Sequence, residues 1–562
     1  MHRRTPPILK RPLRRGAARP PRPISRTSPP APRRFALRRT EAIRRRRLGG
    51  SCAARLAIGL AAIASAAGRT AANEAPGRPP NAVVFLADDL GRQDASVPFH
   101  ATTTELNRRF RTPALERLAA RGVKFTQAYA CCVCSPSRVS LMTGRNAARH
   151  RVTSWTFRRG ASHDRPHPTL AMPEWNVNGL SPEPGTERTA VATPLPALLR
   201  CAGYRTIHVG KARFGAQGAP GSDPLRLGFD VHVGGHAAGS PGSYLGRNAF
   251  RGAARGADAD WDVPGLEAYH GRDVFLTEAL TREALRAVDR AVADDKPFLL
   301  HLAHDAVHLP LEEDRRFVRA YREAGLDPAE ATYAALVEGL DRSLGDVVAQ
   351  RERLGVSDRT VLLFVSDNGG LSAHGRGGPP HVRNRPLSSG KGSLREGGIR
   401  VPMLAVWPGR TPTASTCTTP VMIEDFFPTV RELAGVSHAS PDATPPDGLS
   451  FVPLLHGLPD PRRDQRPLTW HDRHAWGPVG PGIGPASALR LGDWKLIDDH
   501  AGQRYELFDL AADLGETRNR ADELPELRTR LARAWGARLA VVGEQMPTDK
   551  ATVAPVPYPG AP

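Results

Sequence analysis

The sequence predicts an α/β protein: a large, mainly parallel sheet with helices packed on it, followed by a smaller C-terminal α+β domain. Three observations carry that expectation. Asn81 to Ala87 and Thr360 to Val365 are continuous apolar, β-branched runs without polar alternation, the pattern of strands covered on both faces. Between them helix-type and strand-type stretches alternate, as βαβ crossovers require. Near the end, Ala488 to Ile497 and Tyr505 to Leu510 read as paired strands, with a helix from Leu524 to Leu539 to pack on them.

The chain has 562 residues, too many for one ordinary core, and its 40% hydrophobic content suits globular packing. A net charge of +21 points to nucleic acid until it is located: residues 1–50 hold sixteen Arg, one Lys and one Glu, which account for +16 and leave +5 for the rest. The folded part is therefore not strongly basic, and no nucleic-acid partner is expected. Arg44 to Arg47, the apolar run Leu56 to Ile63 and Ala64-Ser65-Ala66 have the order of an export signal, and the run is too short and Ala-rich for a stable membrane span. The expected organisation is a disordered basic tail (1–47), the signal (48–72), a linker (73–80), a main domain (81–440), a small domain (441–545) and a tail (546–562). The protein is expected to be exported, periplasmic or secreted. Cys52 would leave with the signal. Cys131, Cys132, Cys134, Cys201 and Cys417 stay, in a compartment that permits disulfides without requiring them. Cys131 and Cys134 have Cys-x-x-Cys spacing, but without a second such pair or a His-rich cluster nothing suggests zinc.

Taken in order, the first strand ends in Asp88 and Asp89, at the end of a parallel strand where ligands bind. Next comes Cys131-Cys132-Val133-Cys134-Ser135-Pro136-Ser137-Arg138. Ser135 is read as a helix N-cap, Pro136 as the first helical residue and Gly144 as the stop, so Cys134 would face the unpaired N–H groups of a helix start. That setting favours an anion, and Arg138, one turn on, adds a forked cation. A helix from Pro194 to Ala202 and a strand from Tyr204 to Val209 lead to Gly210-Lys211-Ala212-Arg213. Residues Gly235 to Gly246, rich in Gly and Ser, read as a surface loop.

Phe275, Leu276, Ala279, Leu280, Ala284, Leu285 and Val288 mark an amphipathic helix, and a buried-type strand from Pro297 to Ala303 runs into His304, Asp305 and His308. Asp327, Pro328 and Glu330 open a second helix, whose buried face is Leu336, Leu340, Leu344 and Val347. The strand after it ends in Asp367 and Asn368. Together with Asp88 and Asp89 these form an all-oxygen cage suited to Ca²⁺ or, less well, Mg²⁺. A loop from His374 to Pro386 leads to Gly390-Lys391-Gly392 and Glu396-Gly397-Gly398-Ile399-Arg400-Val401-Pro402, and Met422 to Ala434 reads as a helix.

Cys134-Ser135-Pro136-Ser137-Arg138, with Leu141, Thr143, Gly144 and Arg145 in register, resembles the formylglycine signature of the type I sulfatases of the alkaline-phosphatase-like superfamily. The resemblance extends over roughly residues 81–545. It implies a large mixed sheet sandwiched by helices, and a nucleophile made by oxidation of Cys134 to formylglycine (3-oxoalanine) by a formylglycine-generating enzyme. It further implies a metal held by Asp88, Asp89, Cys134, Asp367 and Asn368, catalytic roles for Arg138, Lys211, His308 and Lys391, and a sulfated small molecule or polysaccharide as substrate. Arg213 stands where the family has histidine; arginine cannot act as a base but can hold sulfate as a cation. His304 and Asp305 are candidate substrate contacts. Phosphodiesterases and phosphonate monoester hydrolases of the same superfamily, and an inactive binder of sulfated carbohydrate, are the alternatives.

Overall fold

The computed structural model describes residues 78–561 except 373–375, 377–378, 437–444 and 476. The expected tail and signal, the linker up to residue 77 and His374 lie outside the described residues. Among these residues no helix is long and apolar enough to cross a membrane.

The main sheet contains β1 (Asn81–Ala87), β2 (Val123–Tyr129), β3 (Arg205–Gly210), β4 (Val231–Val233), β5 (Phe298–Ala303), β6 (Thr360–Ser366), β7 (Arg400–Val406), β8 (Ser415–Cys417) and β9 (Val421–Met422). Its order is β8-β2-β7-β6-β1-β5-β3-β4, with β9 also on β2. β7 runs antiparallel to both its neighbours, and the other pairings are parallel. The sheet is thus mixed and mainly parallel, as the unbroken apolar runs indicate. Val83, Phe85 and Ala87 of β1 pack in one hydrophobic cluster with α3 (Leu276–Ala293), α4 (Pro328–Arg353) and α1 (Pro113–Arg121). Ala82, Val84 and Leu86 pack in another with α2 (Cys134–Thr143) and α5 (Phe426–Leu433), so both faces are covered by helices. Asp327 caps α4 by accepting from the Glu330 N–H, as its sequence suggests.

A second, four-stranded antiparallel sheet follows: β10 (Leu468–Asp472), β11 (Ala486–Leu491), β12 (Trp494–Asp499) and β13 (Arg504–Asp509). The stretch expected as one strand from Ala488 to Ile497 is a hairpin, turned at Gly492 (φ 61°). Its apolar residues alternate within each strand, and the turn residues, not the overall hydrophobicity, divide them. One face meets Tyr129, Cys132 and Ile399 of the main layer, and the other is covered by α6 (Pro525–Val542), with Trp535 and Leu539 buried. Residues 546–556 are held to this layer: Thr548–Asp549 pairs with Leu170–Ala171, and Met546 and Val556 are buried against it.

Candidate active site

The carboxyl ends of β1, β2, β3, β5 and β6 and the start of β7 lie along one edge of the main sheet. Ala87 is abreast of Ser366, so Asp88 and Asp367 leave the sheet side by side. Asp88, Cys134 and Asp367 each offer a ligand atom, and these lie within 4.8 Å of one another. Segments more than two hundred residues apart in sequence thus meet at one buried point.

The helix that presents Cys134 starts two residues earlier than its sequence suggests. It spans Cys134 to Thr143 with Val133 at the cap, and Ser135 is not the capping residue. Ser135 Oγ instead accepts from the Thr156 N–H at 3.1 Å, and Ser137 Oγ accepts from the Cys131 N–H at 2.9 Å. Pro136 is tolerated because the first-turn N–H groups have no intrahelical acceptor. Gly144 closes the helix at φ 68°. Gly210, at φ 95°, turns the chain out of β3 so tightly that a Cβ there would lie 2.0 Å from the Ala303 carbonyl, and Lys211 follows it into the site.

Three cations are paired. Lys211 Nζ donates to Asp88 Oδ2, Arg138 Nε donates to Asp367 Oδ2 at 2.9 Å, and Lys391 Nζ donates to Asp89 Oδ2 at 2.9 Å. Asn368 Nδ2 donates to Asp89 Oδ1 at 2.8 Å, and His308 Nε2 lies 3.5 Å from Asp89 Oδ2. Burial acts to raise the Asp89 carboxyl, but Lys391, helped by Lys211 and the Asn368 amide, more than offsets it and holds it below its ordinary range. Burial likewise opposes ionisation of Cys134, yet Lys211, Arg213 and Lys391 lower its thiol. Burial, then Lys391, drives His308 well below its ordinary pKa, so its ring is neutral; Asp89 acts the other way.

Arg213 is the exception. It is 5% exposed, and its Nε has no partner. Its guanidinium sits over the Trp155 ring at 5.1 Å, and among the described residues no carboxylate pairs with it. Arg213 (φ 50°) and Asp89 (φ 59°) both hold left-handed backbone, an uncommon state for non-glycine residues that accumulates at functional sites.

Two oxygens beside the carboxylates are also left open. Asp88 Oδ1 and Asn368 Oδ1 are buried without a hydrogen-bond partner. Unpaired hard oxygens facing a cluster of acids fit a divalent cation such as Ca²⁺. Burial and the neighbouring Asp367 and Asp89 push the Asp88 carboxyl well above its ordinary value, despite Lys211, and a divalent ion there would favour its charged form.

The remaining candidates divide. Asp305 is buried beside Lys211 and Arg138, with Oδ2 unpaired and its carboxyl raised by burial to about 6. His304 turns away from the site: it is fully buried, packs on Phe85 at 5.2 Å and bonds Ser343 Oγ through Nε2 at 2.8 Å, so it does not contact substrate. Successive residues off a strand point to opposite faces, which separates the two. The loop expected on the surface, Gly235 to Gly246, is instead mostly buried against the site: a Cβ on Gly239 would lie 0.9 Å from Arg213 Nη1. Sequence reasoning missed Trp155, His163 and His236. His163 stacks on Trp155 at 3.3 Å, and His236 presents an unpaired buried Nε2 near Arg213. Nothing local in the sequence marks these three.

The family model for sulfatases matches residues 80–436. The N-acetylgalactosamine-6-sulfatase of Canis lupus familiaris is 33% identical over 406 residues, spanning 70% of this chain and 69% of its own. The chain belongs to the sulfatase family. Sulfatases are sulfuric ester hydrolases, and this chain is one of them. A sulfatase of Formosa agariphila is 28% identical over 80% of this chain and 86% of its own. Among solved structures, Ps i-CgsB superposes with a TM-score of 0.64 at 27% identity, covering 82% of this sulfatase and 93% of that chain. The same protein is known in complex with k-i-k-neocarrahexaose.

Proposed function

We propose that this sulfatase hydrolyses sulfate esters of carbohydrate, using a nucleophile made from Cys134 and a Ca²⁺ ion. The reading rests on one observation, the meeting of Cys134 with Asp88 and Asp367 among cations. A formylglycine hydrate at position 134 would supply the attacking hydroxyl, and a divalent ion held by Asp88, Asp89, Asp367 and Asn368 would polarise the sulfuryl group. Arg138, Lys211 and Lys391 hold the sulfate oxygens and neutralise the charge that gathers on them. Arg213, the buried cation without a carboxylate, takes its counter-charge from the substrate anion. His308, once protonated, gives its proton to the departing oxygen.

Carbohydrate is favoured because Ps i-CgsB is known in complex with k-i-k-neocarrahexaose and relatives are named N-acetylgalactosamine-6-sulfatase. The apolar run and small-residue site within residues 48–72 support export, and maturation then needs a formylglycine-generating partner.

Intact mass spectrometry of a peptide spanning residues 131–138, from protein made in its native host, tests the nucleophile. An aldehyde at Cys134 is expected; a plain thiol refutes the reading. Parallel assays on aryl sulfate and aryl phosphate esters separate sulfatase from phosphodiesterase chemistry. Arg213 stands where the resemblance places the family's base, so Arg213→His should raise turnover; unchanged turnover would show that another group takes that proton.

A further inference from the structure

At the opposite pole of the main sheet, α1, α4 and the segment following β7 enclose a cavity of about 510 Å³. It lies where β6 begins, whereas Asp367 follows the end of that strand. Seven residues at about 3.3 Å each put roughly 20 Å between the two ends. The cavity is therefore separate from the catalytic edge, and its volume falls within the range of about 300–1,000 Å³ typical of small-molecule pockets.

Exposed Arg117, Arg121, Glu352 and Asp358 line its outer part, where Arg121 pairs with Glu352 at 2.6 Å. Leu118, Val348 and Val406 supply an apolar side. Arg351 and Ser357 supply a polar end that the protein leaves unsatisfied. Arg351 is only 4% exposed, its Nε has no partner, and its Nη1 makes a long 3.4 Å contact to the Thr360 carbonyl. Ser357 Oγ is likewise buried without a partner. Burial, opposed by Glu352 and reinforced by Arg121, draws the Arg351 guanidinium down to about 10. Gly345, within the 26-residue helix α4, also lines the space, and a Cβ there would sit in ordinary contact with that of Ala114, at 3.5 Å.

We propose that this cavity is a second ligand site, which takes a small amphiphilic monoanion: one carboxylate or sulfonate on an apolar body about the size of two fused rings. Arg351 and Ser357 receive the anion, and Leu118, Val348 and Val406 receive the apolar part. The site does not depend on the catalytic reading.

The test is fluorescence titration of the full chain with 1-anilinonaphthalene-8-sulfonate, with the uncharged N-phenyl-1-naphthylamine alongside. One saturable site per chain is expected, with the neutral probe binding at least about tenfold more weakly because it leaves the guanidinium unpaired. Val348→Trp, which fills the cavity from a half-buried helical position, should weaken the sulfonate by a similar factor without moving the thermal midpoint. Inorganic sulfate at concentrations that occupy the catalytic edge should not displace the probe. Arg351→Met should lose the preference for the sulfonate; if that variant does not fold, Val348→Trp and the neutral probe decide the matter. Equal binding of the two probes, unchanged affinity in Val348→Trp, or displacement by sulfate overturns the proposal.

Discussion

Two buried charge networks in this protein differ in one respect. Where the two sheets meet, Lys495 Nζ donates to Glu396 Oε1 and Glu516 Oε1, each at 2.9 Å, and the Tyr129 hydroxyl and Arg400 Nη1 donate to Glu396 Oε2 at 2.8 and 3.1 Å. Every carboxylate oxygen of Glu396 and Glu516 there has a donor, Glu516 Oε2 taking the Glu396 N–H at 2.7 Å. At the catalytic edge Asp88 Oδ1 and Asn368 Oδ1 have no donor, and Arg213 Nε has no acceptor. Burial is similar in the two places, so burial alone does not distinguish a functional cluster from a structural one. What distinguishes them is the set of bonds left for something else to complete.

The largest effect that would break this contrast is on turnover. Asp88→Asn and Cys134→Ala should each lower sulfate ester hydrolysis by at least about 10³-fold, while denaturant midpoints stay the same or rise. A fall in stability matching that at the junction would place the two networks in one class.

Lys495→Met should behave in the opposite way. It leaves Glu396 and Glu516 facing each other in a dry junction and should cost about 3–5 kcal/mol in urea unfolding. Protein that still folds should keep the order of its substrate preferences.

Glu424 gives a third case, a buried acid outside both networks whose Oε2 is also unpaired. Burial, reinforced by Asp425, raises its carboxyl to about 7 from an ordinary 4.5. Below pH 4.5 it is protonated whether the chain is folded or not. Between pH 4.5 and 7 the folded chain keeps a proton that the unfolded chain has released, so this group's stabilising contribution fades as pH rises through that window. Glu424→Gln should flatten the decline by up to about 3 kcal/mol in thermal midpoints measured from pH 4.5 to 8, with little effect on turnover.

Arg213→Met should show the smallest effect and the most telling sign. Removing a buried cation that has no carboxylate should stabilise the ligand-free protein by about 1–2 kcal/mol, the reverse of the loss at Lys495, while weakening inorganic sulfate binding in calorimetry. Destabilisation would show that Trp155 alone compensates this charge.

The two networks also explain what could be read from the sequence. The acid-tipped strands are legible because an unbroken apolar run followed by Asp88-Asp89 or Asp367-Asn368 has few other uses, and parallel register brings such ends together. The Glu396 to Pro402 block is equally conspicuous, yet Glu396 and Arg400 serve the junction between the sheets, because a charge recurring in a motif looks the same whether it holds a ligand or a fold. Trp155, His163 and His236 were not legible, since their relation to Arg213 exists only through contacts between distant segments. His304 misled because alternation along a strand end, invisible without its register, turns it into the core. The burial of Gly235 to Gly246 reverses the usual reading of glycine: here the absence of side chains lets backbone lie against a guanidinium.

The pairing of Thr548–Asp549 with Leu170–Ala171 has a consequence for biosynthesis. Leu170 and Ala171 must wait for more than 370 further residues before the strand that pairs with them exists. Until then Trp535 and Leu539 lack part of their cover, so the smaller layer cannot close before residues 546–556 have been made.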